Sequence, residues 1–217
     1  MTVLVLGPNG SGKSLYAEKL VVRLSSGAYG AFGMSSVSGV SGMFGMSIAS
    51  GASGTSSAFG TSGTSGTSSA CSVSGAPCPL FYIATMIPYR EEGQARVAKH
   101  RKQRESMGFT TVEKPFCVAE IPFPPDAVVL LEDVSNLLSN ALFDGGRNGN
   151  EESVLMDIKA MCAKCRAAVL VSINGLTAEP KHNDETRGYI DALNRLNKRL
   201  SDFADTVISK RDEHRFF

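Results

Sequence analysis

The stretch Gly7-Pro8-Asn9-Gly10-Ser11-Gly12-Lys13-Ser14 constrains this chain more than any other, because a loop of this spacing works only between a strand and a helix. The apolar run Val3-Leu4-Val5-Leu6 precedes it, and the helix-favouring Leu15-Tyr16-Ala17-Glu18-Lys19-Leu20 follows. In a G-x-x-x-x-G-K-S loop, glycine-rich backbone wraps an anion with its N–H groups pointing inward, and the helix N-terminus adds its dipole. Lys13 is placed to reach the β- and γ-phosphates of a nucleotide, and the Ser14 hydroxyl to ligate Mg²⁺. Gly7 through Ser14 are therefore the first candidate nucleotide-binding residues, with Lys13 also a catalytic candidate.

The rest of the chain supplies the matching architecture. Leu80-Phe81-Tyr82-Ile83-Ala84 reads as a second strand, Gly108 to Val112 as a short third, and Ala127 to Leu131 as an uninterrupted apolar run. Continuous rather than alternating apolarity marks a strand buried on both faces. Ala167 to Ser172 is another such run, and Thr206 to Ser209 a last strand. Between them the spacing predicts helices over Tyr89–Met107, Val134–Phe143, Glu151–Arg166 and Asp184–Ala204, the last with Ile190, Leu193, Leu196 and Leu200 on one stripe. Strands alternating with helices predict an α/β fold: a mainly parallel sheet in a three-layer sandwich, with nucleotide at the C-terminal strand ends.

Composition sets one segment apart. No charged residue occurs between Arg23 and Arg90, and residues 25–79 are mostly Gly, Ser, Thr and Ala. Such a tract has a high ordering entropy and little to bury, so it is predicted to be a flexible, disordered insertion within a single phosphate-loop domain spanning residues 1–217. A net charge of +1 suggests neither nucleic acid nor an anionic membrane as partner. The strand-like start, without a basic region and apolar core, predicts no signal peptide and a cytoplasmic protein. Five cysteines, an odd number, argue against a disulfide framework, and Cys162-x-x-Cys165 lacks a second Cys or His pair for zinc.

Two further stretches carry chemistry. Glu132 and Asp133 end a buried strand, the usual source of a carboxylate for a nucleotide's Mg²⁺; spacing does not decide which faces the metal. On a helix, Arg96, His100 and Arg104 share a face, with the imidazole between two guanidiniums. Flanking cations lower the pKa of His100, leaving a lone pair that can attack phosphorus and form a phosphoramidate. A solvated basic helix face is the alternative from spacing alone.

Several stretches, taken in order, resemble the bifunctional adenosylcobinamide kinase/adenosylcobinamide-phosphate guanylyltransferase family of cobalamin biosynthesis. They are the phosphate loop, Tyr82-Ile83-Ala84-Thr85, Glu91-Glu92, Arg96-Val97 with His100 and Arg104, and Phe109, Thr111, Glu113 and Pro115. Leu130-Leu131-Glu132 with Asn140, and Arg195-Leu196-Asn197 with Leu200, continue the series. Ser172–Pro180 and Ser209–Asp212 depart from the family pattern. The resemblance implies a RecA-like phosphate-loop fold, a homo-oligomer, and corrinoid and nucleotide (GTP, ATP or both) as substrates. It also implies two reactions: phosphorylation of the aminopropanol hydroxyl of adenosylcobinamide, and GMP transfer from GTP through His100 to give adenosylcobinamide-GDP. His100, Lys13 and Glu132 would then be catalytic, Gly7 to Ser14 with Arg96, Arg104 and Glu113 would bind nucleotide, and Ser14, Glu132 and Asp133 would hold metal. Another small-molecule kinase built on the same loop, or a non-enzymatic nucleotide-binding interaction module, remains open at this point.

Overall fold

The computed structural model describes residues 1–26, 78–87, 98, 102, 104–144 and 149–210. Six strands, β1 (Thr2–Gly7), β2 (Leu80–Ala84), β3 (Phe109–Glu113), β4 (Val128–Glu132), β5 (Ala167–Ile173) and β6 (Thr206–Ser209), form one sheet in the order β3-β2-β4-β5-β1-β6. Every neighbouring pair is parallel. Helices α1 (Lys13–Ser25), α2 (Val134–Phe143), α3 (Glu151–Cys162) and α4 (Asp184–Phe203) cover it.

Strand pleating divides the apolar runs between two cores. Val3, Val5, Val128, Leu130, Val169 and Val171 face one side and pack with Ala17, Leu20, Val21 and Leu24 of α1. Their alternates Leu4, Leu6, Val129, Leu131, Ala168 and Leu170 face the other side, against residues of α2, α3 and α4 such as Leu138, Ile158, Leu193 and Leu196. The result is the expected three-layer α/β arrangement, a parallel sheet with helices on both faces.

Local signals account for the boundaries. Asp133 caps α2 by accepting from the Asn136 N–H at 2.7 Å, and Asn183 caps α4 through the Thr186 N–H at 2.8 Å. Asn150 and Ser153 form a reciprocal capping box on α3. Helix α3 stops at Cys162 rather than at the predicted Arg166, because the Arg166 N–H donates to Ala127 O at 3.0 Å and draws the chain into β5. The irregular stretch before β4 contains an unpredicted 3-10 turn, Val118–Glu120, whose Val118 and Ala119 N–H groups donate to Asp157 at 2.7 and 2.9 Å. Of the predicted 89–107 helix, Ala98, Lys102 and Arg104 are helical and Glu105–Met107 form a 3-10 turn; its other residues, and the bulk of the Gly/Ser tract, lie outside the described residues.

Candidate active site

The phosphate loop leaves β1 at Gly7 and enters α1 at Lys13, as the spacing requires. Gly12 caps the helix with φ 71° and Gly10 has φ 81°, left-handed conformations that favour glycine. A Cβ on Gly7 would collide with Ser11 Oγ and come within 3.2 Å of Lys210, so the loop closes directly over this residue. The buried Lys13 ammonium folds back to donate to Pro8 O at 3.2 Å. Burial lowers its pKa, and the Asp133 and Glu132 carboxylates oppose that shift.

Strand order places the carboxylates. β5 lies between β1 and β4, pairing Gly7 with Ile173 and Glu132 with Val171, so both ends open on the same rim of the sheet. The Ser14 side chain stands beside Glu132 and lowers its carboxyl pKa. The other demands on Glu132 are unmet: its Oε2 is buried and has no hydrogen-bond partner among the described residues. Burial pushes the Glu132 carboxyl up to about 7, offset in part by Ser14 and raised further by Asp133 and Glu18.

Asp133 is differently engaged. Its carboxylate accepts from the Ser135 hydroxyl at 2.6 Å and from the Asn136 N–H, while Thr85 Oγ1 donates to its carbonyl and accepts from its N–H, each at 2.8 Å. Burial raises the Asp133 pKa, and the Ser135 and Asn136 hydrogen bonds lower it. The two adjacent acids thus divide what sequence spacing left open: Glu132 faces the loop serine, and Asp133 caps α2.

These groups fit a nucleotide's magnesium ion. Mg²⁺ prefers hard oxygen donors and is held by one or two carboxylates with substrate phosphates rather than by an all-protein cage. A hydroxyl beside an unsatisfied buried carboxylate oxygen is such a partial shell. Among the described residues no group of three or more His, Cys, Asp or Glu side chains could hold a metal by itself.

Other expected site residues are distributed as follows. Glu113 ends β3 and is exposed; through Ala84 of β2 it stands level with Glu132 in register. Arg104 is buried, with its guanidinium 3.4 Å from the centroid of the Tyr82 ring and Nη1 4.0 Å from Glu18 Oε1. His100 and Arg96 lie outside the described residues. Asn140 and Asn197, singled out by their motifs, tie strand ends together. Asn140 Nδ2 donates to Thr85 O at 2.7 Å and Pro115 O at 3.1 Å; Asn197 accepts from Ser172 Oγ at 2.7 Å and donates to Ile173 O at 2.8 Å.

Sequence reasoning missed Lys210. Its N–H donates to Leu6 O at 2.7 Å, its ammonium lies 5.0 Å from the Tyr16 ring centroid, and it backs onto Gly7. Asn174 abuts the loop as well, donating from its N–H to Gly7 O at 3.3 Å. Both stretches that depart from the family pattern therefore border the phosphate loop. No described helix is long and apolar enough to cross a membrane.

Comparison with known proteins identifies the family. Residues 60–210 match the sequence model of the family described as cobinamide kinase / cobinamide phosphate guanyltransferase. The chain is 29% identical over 150 residues to the bifunctional adenosylcobalamin biosynthesis protein CobU of Escherichia coli (strain K12), an alignment covering 61% of this chain and 82% of that protein. Among solved structures, the flagellar accessory protein FlaH from Methanocaldococcus jannaschii aligns over 96% of this chain and 70% of its own, with a TM-score of 0.39 and 10% identity.

Proposed function

The chain belongs to the cobinamide kinase / cobinamide phosphate guanyltransferase family, and from that premise we propose that it carries both reactions of the bifunctional relatives. In the first, the aminopropanol hydroxyl oxygen of adenosylcobinamide attacks the γ-phosphorus of a nucleoside triphosphate; the β–γ bridging P–O bond breaks and a nucleoside diphosphate leaves. In the second, a His100 nitrogen attacks the α-phosphorus of GTP, forming a P–N bond as pyrophosphate departs. A phosphate oxygen of the phosphorylated cobinamide then displaces the imidazole, giving adenosylcobinamide-GDP.

The observation that carries this reading is the buried, unsatisfied Glu132 Oε2 beside Ser14, at the rim where Lys13 closes a glycine-rich loop. Phosphoryl and nucleotidyl transfer need chiefly positioning and charge neutralisation. In this reading, backbone N–H groups of residues 9–14 cradle the phosphates and Lys13 neutralises the departing charge. Ser14 and Glu132 hold Mg²⁺, with Asp133 steadying the acidic rim. Bound there, Mg²⁺ supplies Lewis-acid stabilisation of the phosphate oxygens. Glu113, at the end of β3, and Arg96 complete the nucleotide contacts. The Gly/Ser tract takes no part in either reaction, and the enzyme works in the cytoplasm as a homo-oligomer.

The test is product analysis with adenosylcobinamide, GTP and Mg²⁺. Wild type should yield adenosylcobinamide-GDP, whereas His100→Ala should accumulate phosphorylated cobinamide without the GMP. Phosphorylation of another alcohol in preference to adenosylcobinamide would reassign the substrate, and nucleotide binding without any turnover would remove the enzymatic reading.

A further inference from the structure

Beside the phosphate loop stands a second cation that the proposed reactions leave unused. Lys210 follows β6, and its N–H donates to Leu6 O at 2.7 Å, which carries the chain past Gly7 on the side of β1 away from Glu132. A Cβ on Gly7 would come within 3.2 Å of both Lys210 Cβ and Lys210 O, so Lys210 packs directly against the first residue of the loop. Its ammonium lies 5.0 Å from the centroid of the Tyr16 ring, in the first turn of α1. Among the described residues it forms no ion pair.

This is an unfavourable place for a cation until an anion arrives. A helix N-terminus carries partial positive charge and favours acidic side chains, yet the first turn of α1 contains none. Lys13 already begins that turn. Two ammonium groups and a helix dipole of the same sign therefore converge on one loop. The Tyr16 ring is a weak holder of the Lys210 charge, and a phosphate oxygen offers a stronger, charge-assisted hydrogen bond.

We infer that Lys210 is a second phosphate-binding residue of this loop and takes the α-phosphate end of the nucleotide. This inference rests on the reading of the loop as a nucleotide site. Sheet order gives the direction. Glu132 closes β4 and Lys210 follows β6, three strand spacings or roughly 14 Å apart across the sheet, with the loop between them. Lys13, which in a loop of this spacing reaches the β- and γ-phosphates, stands in the field of the Asp133 and Glu132 carboxylates. The γ-phosphate thus faces β4, and the α-phosphate lies on the β6 side, beside Lys210. There the ammonium neutralises charge gathering on the α-phosphate oxygens when a nucleophile attacks α-phosphorus and pyrophosphate departs.

The test compares wild type with Lys210→Met, which keeps the stem without the charge, and Lys210→Arg, which keeps the charge. Calorimetric titration uses the α,β-methylene analogues of GDP and GTP, whose α–β link resists cleavage, and melting follows the nucleotide-free protein. Lys210→Met should weaken both analogues alike, by about 10- to 100-fold, with Lys210→Arg within about threefold of wild type. The nucleotide-free Tm of Lys210→Met should be equal or higher, since a charge of the wrong sign has left the helix N-terminus. With GTP itself, its limiting rate of GMP-adduct formation should fall at least about tenfold relative to phosphorylation of adenosylcobinamide. Unchanged affinities overturn the inference, and with a lower Tm they make the Tyr16 contact structural. A loss confined to the GTP analogue also overturns it and assigns Lys210 to the γ-phosphate, as does an equal fall of both limiting rates to the α-phosphate assignment. Wild type that binds neither analogue removes the reading of the loop, and this inference with it. Wild type that binds both but forms no adduct removes only the guanylyl-histidine reading, and the affinities alone then decide Lys210.

Discussion

The Cys78 N–H donates to the Ser25 carbonyl at 3.2 Å, although residues 26–77 separate them in sequence. The last residue of α1 and the approach to β2 thus meet directly, and the Gly/Ser tract leaves and returns at one point. Replacing residues 27–77 by a four-residue Gly/Ser linker should preserve the fold. Shortening a loop about thirteenfold should stabilise it by ~2 kcal/mol if the tract is unstructured. Thermal melting decides: an equal or higher Tm is expected, and a fall of many degrees would mean that the tract packs.

A second prediction concerns pH. The folded pKa of Glu132 is about 7 against an ordinary value of 4.5. Its folded-state value is the higher one, so the associated stability is complete below about pH 4.5, declines as pH rises, and is gone above about 7, a change of ~3 kcal/mol. Asp133 is raised too and acts in the same direction. Glu132→Gln should therefore raise the Tm of nucleotide-free protein at pH 8 and flatten its pH dependence between 5 and 7 while greatly lowering turnover. A melt series over pH 4–8 would check this; a lower Tm at pH 8 for the variant would contradict the assigned burial cost.

Much of this fold was legible because the strands are buried on both faces. Val128 to Leu131 and Ala167 to Ser172 could hardly be anything else, and Leu80–Ala84, Val134–Phe143 and Thr206–Ser209 begin and end where patterning placed them. The phosphate loop was equally plain, since its glycines and lysine define the geometry locally. What the sequence could not disclose depends on contacts between distant segments. Nothing local separates Glu132 from Asp133; their difference arises because α1 brings Ser14 to one and α2 begins on the other. Arg104 reads as an exposed phosphate ligand until Tyr82 and Glu18 close around it. Lys210 gains its place beside Gly7 only when β6 pairs with β1.

Asn140 illustrates a motif residue that holds the site rather than acting in it. Its amide bridges Thr85 O and Pro115 O from a buried position. Asn140→Ala should cost about 1–3 kcal/mol in urea denaturation, with GTP affinity of the folded fraction little altered. A large loss of affinity without loss of stability would place Asn140 in the nucleotide site instead.

Lys13→Ala removes both the ammonium proposed to neutralise phosphate and the bond that closes the loop on Pro8. Turnover in both transfers should fall about 100- to 1000-fold, and calorimetric titration should show much weaker GTP binding. Full retention of either activity would exclude the loop as its site.

The central claim is the covalent one, and it is tested most directly by the intact mass of the protein after incubation with GTP and Mg²⁺. A single acid-labile increment of the size of GMP, on wild type and absent from His100→Ala, is the predicted result. An unmodified wild type, or an adduct that survives the substitution, would contradict it.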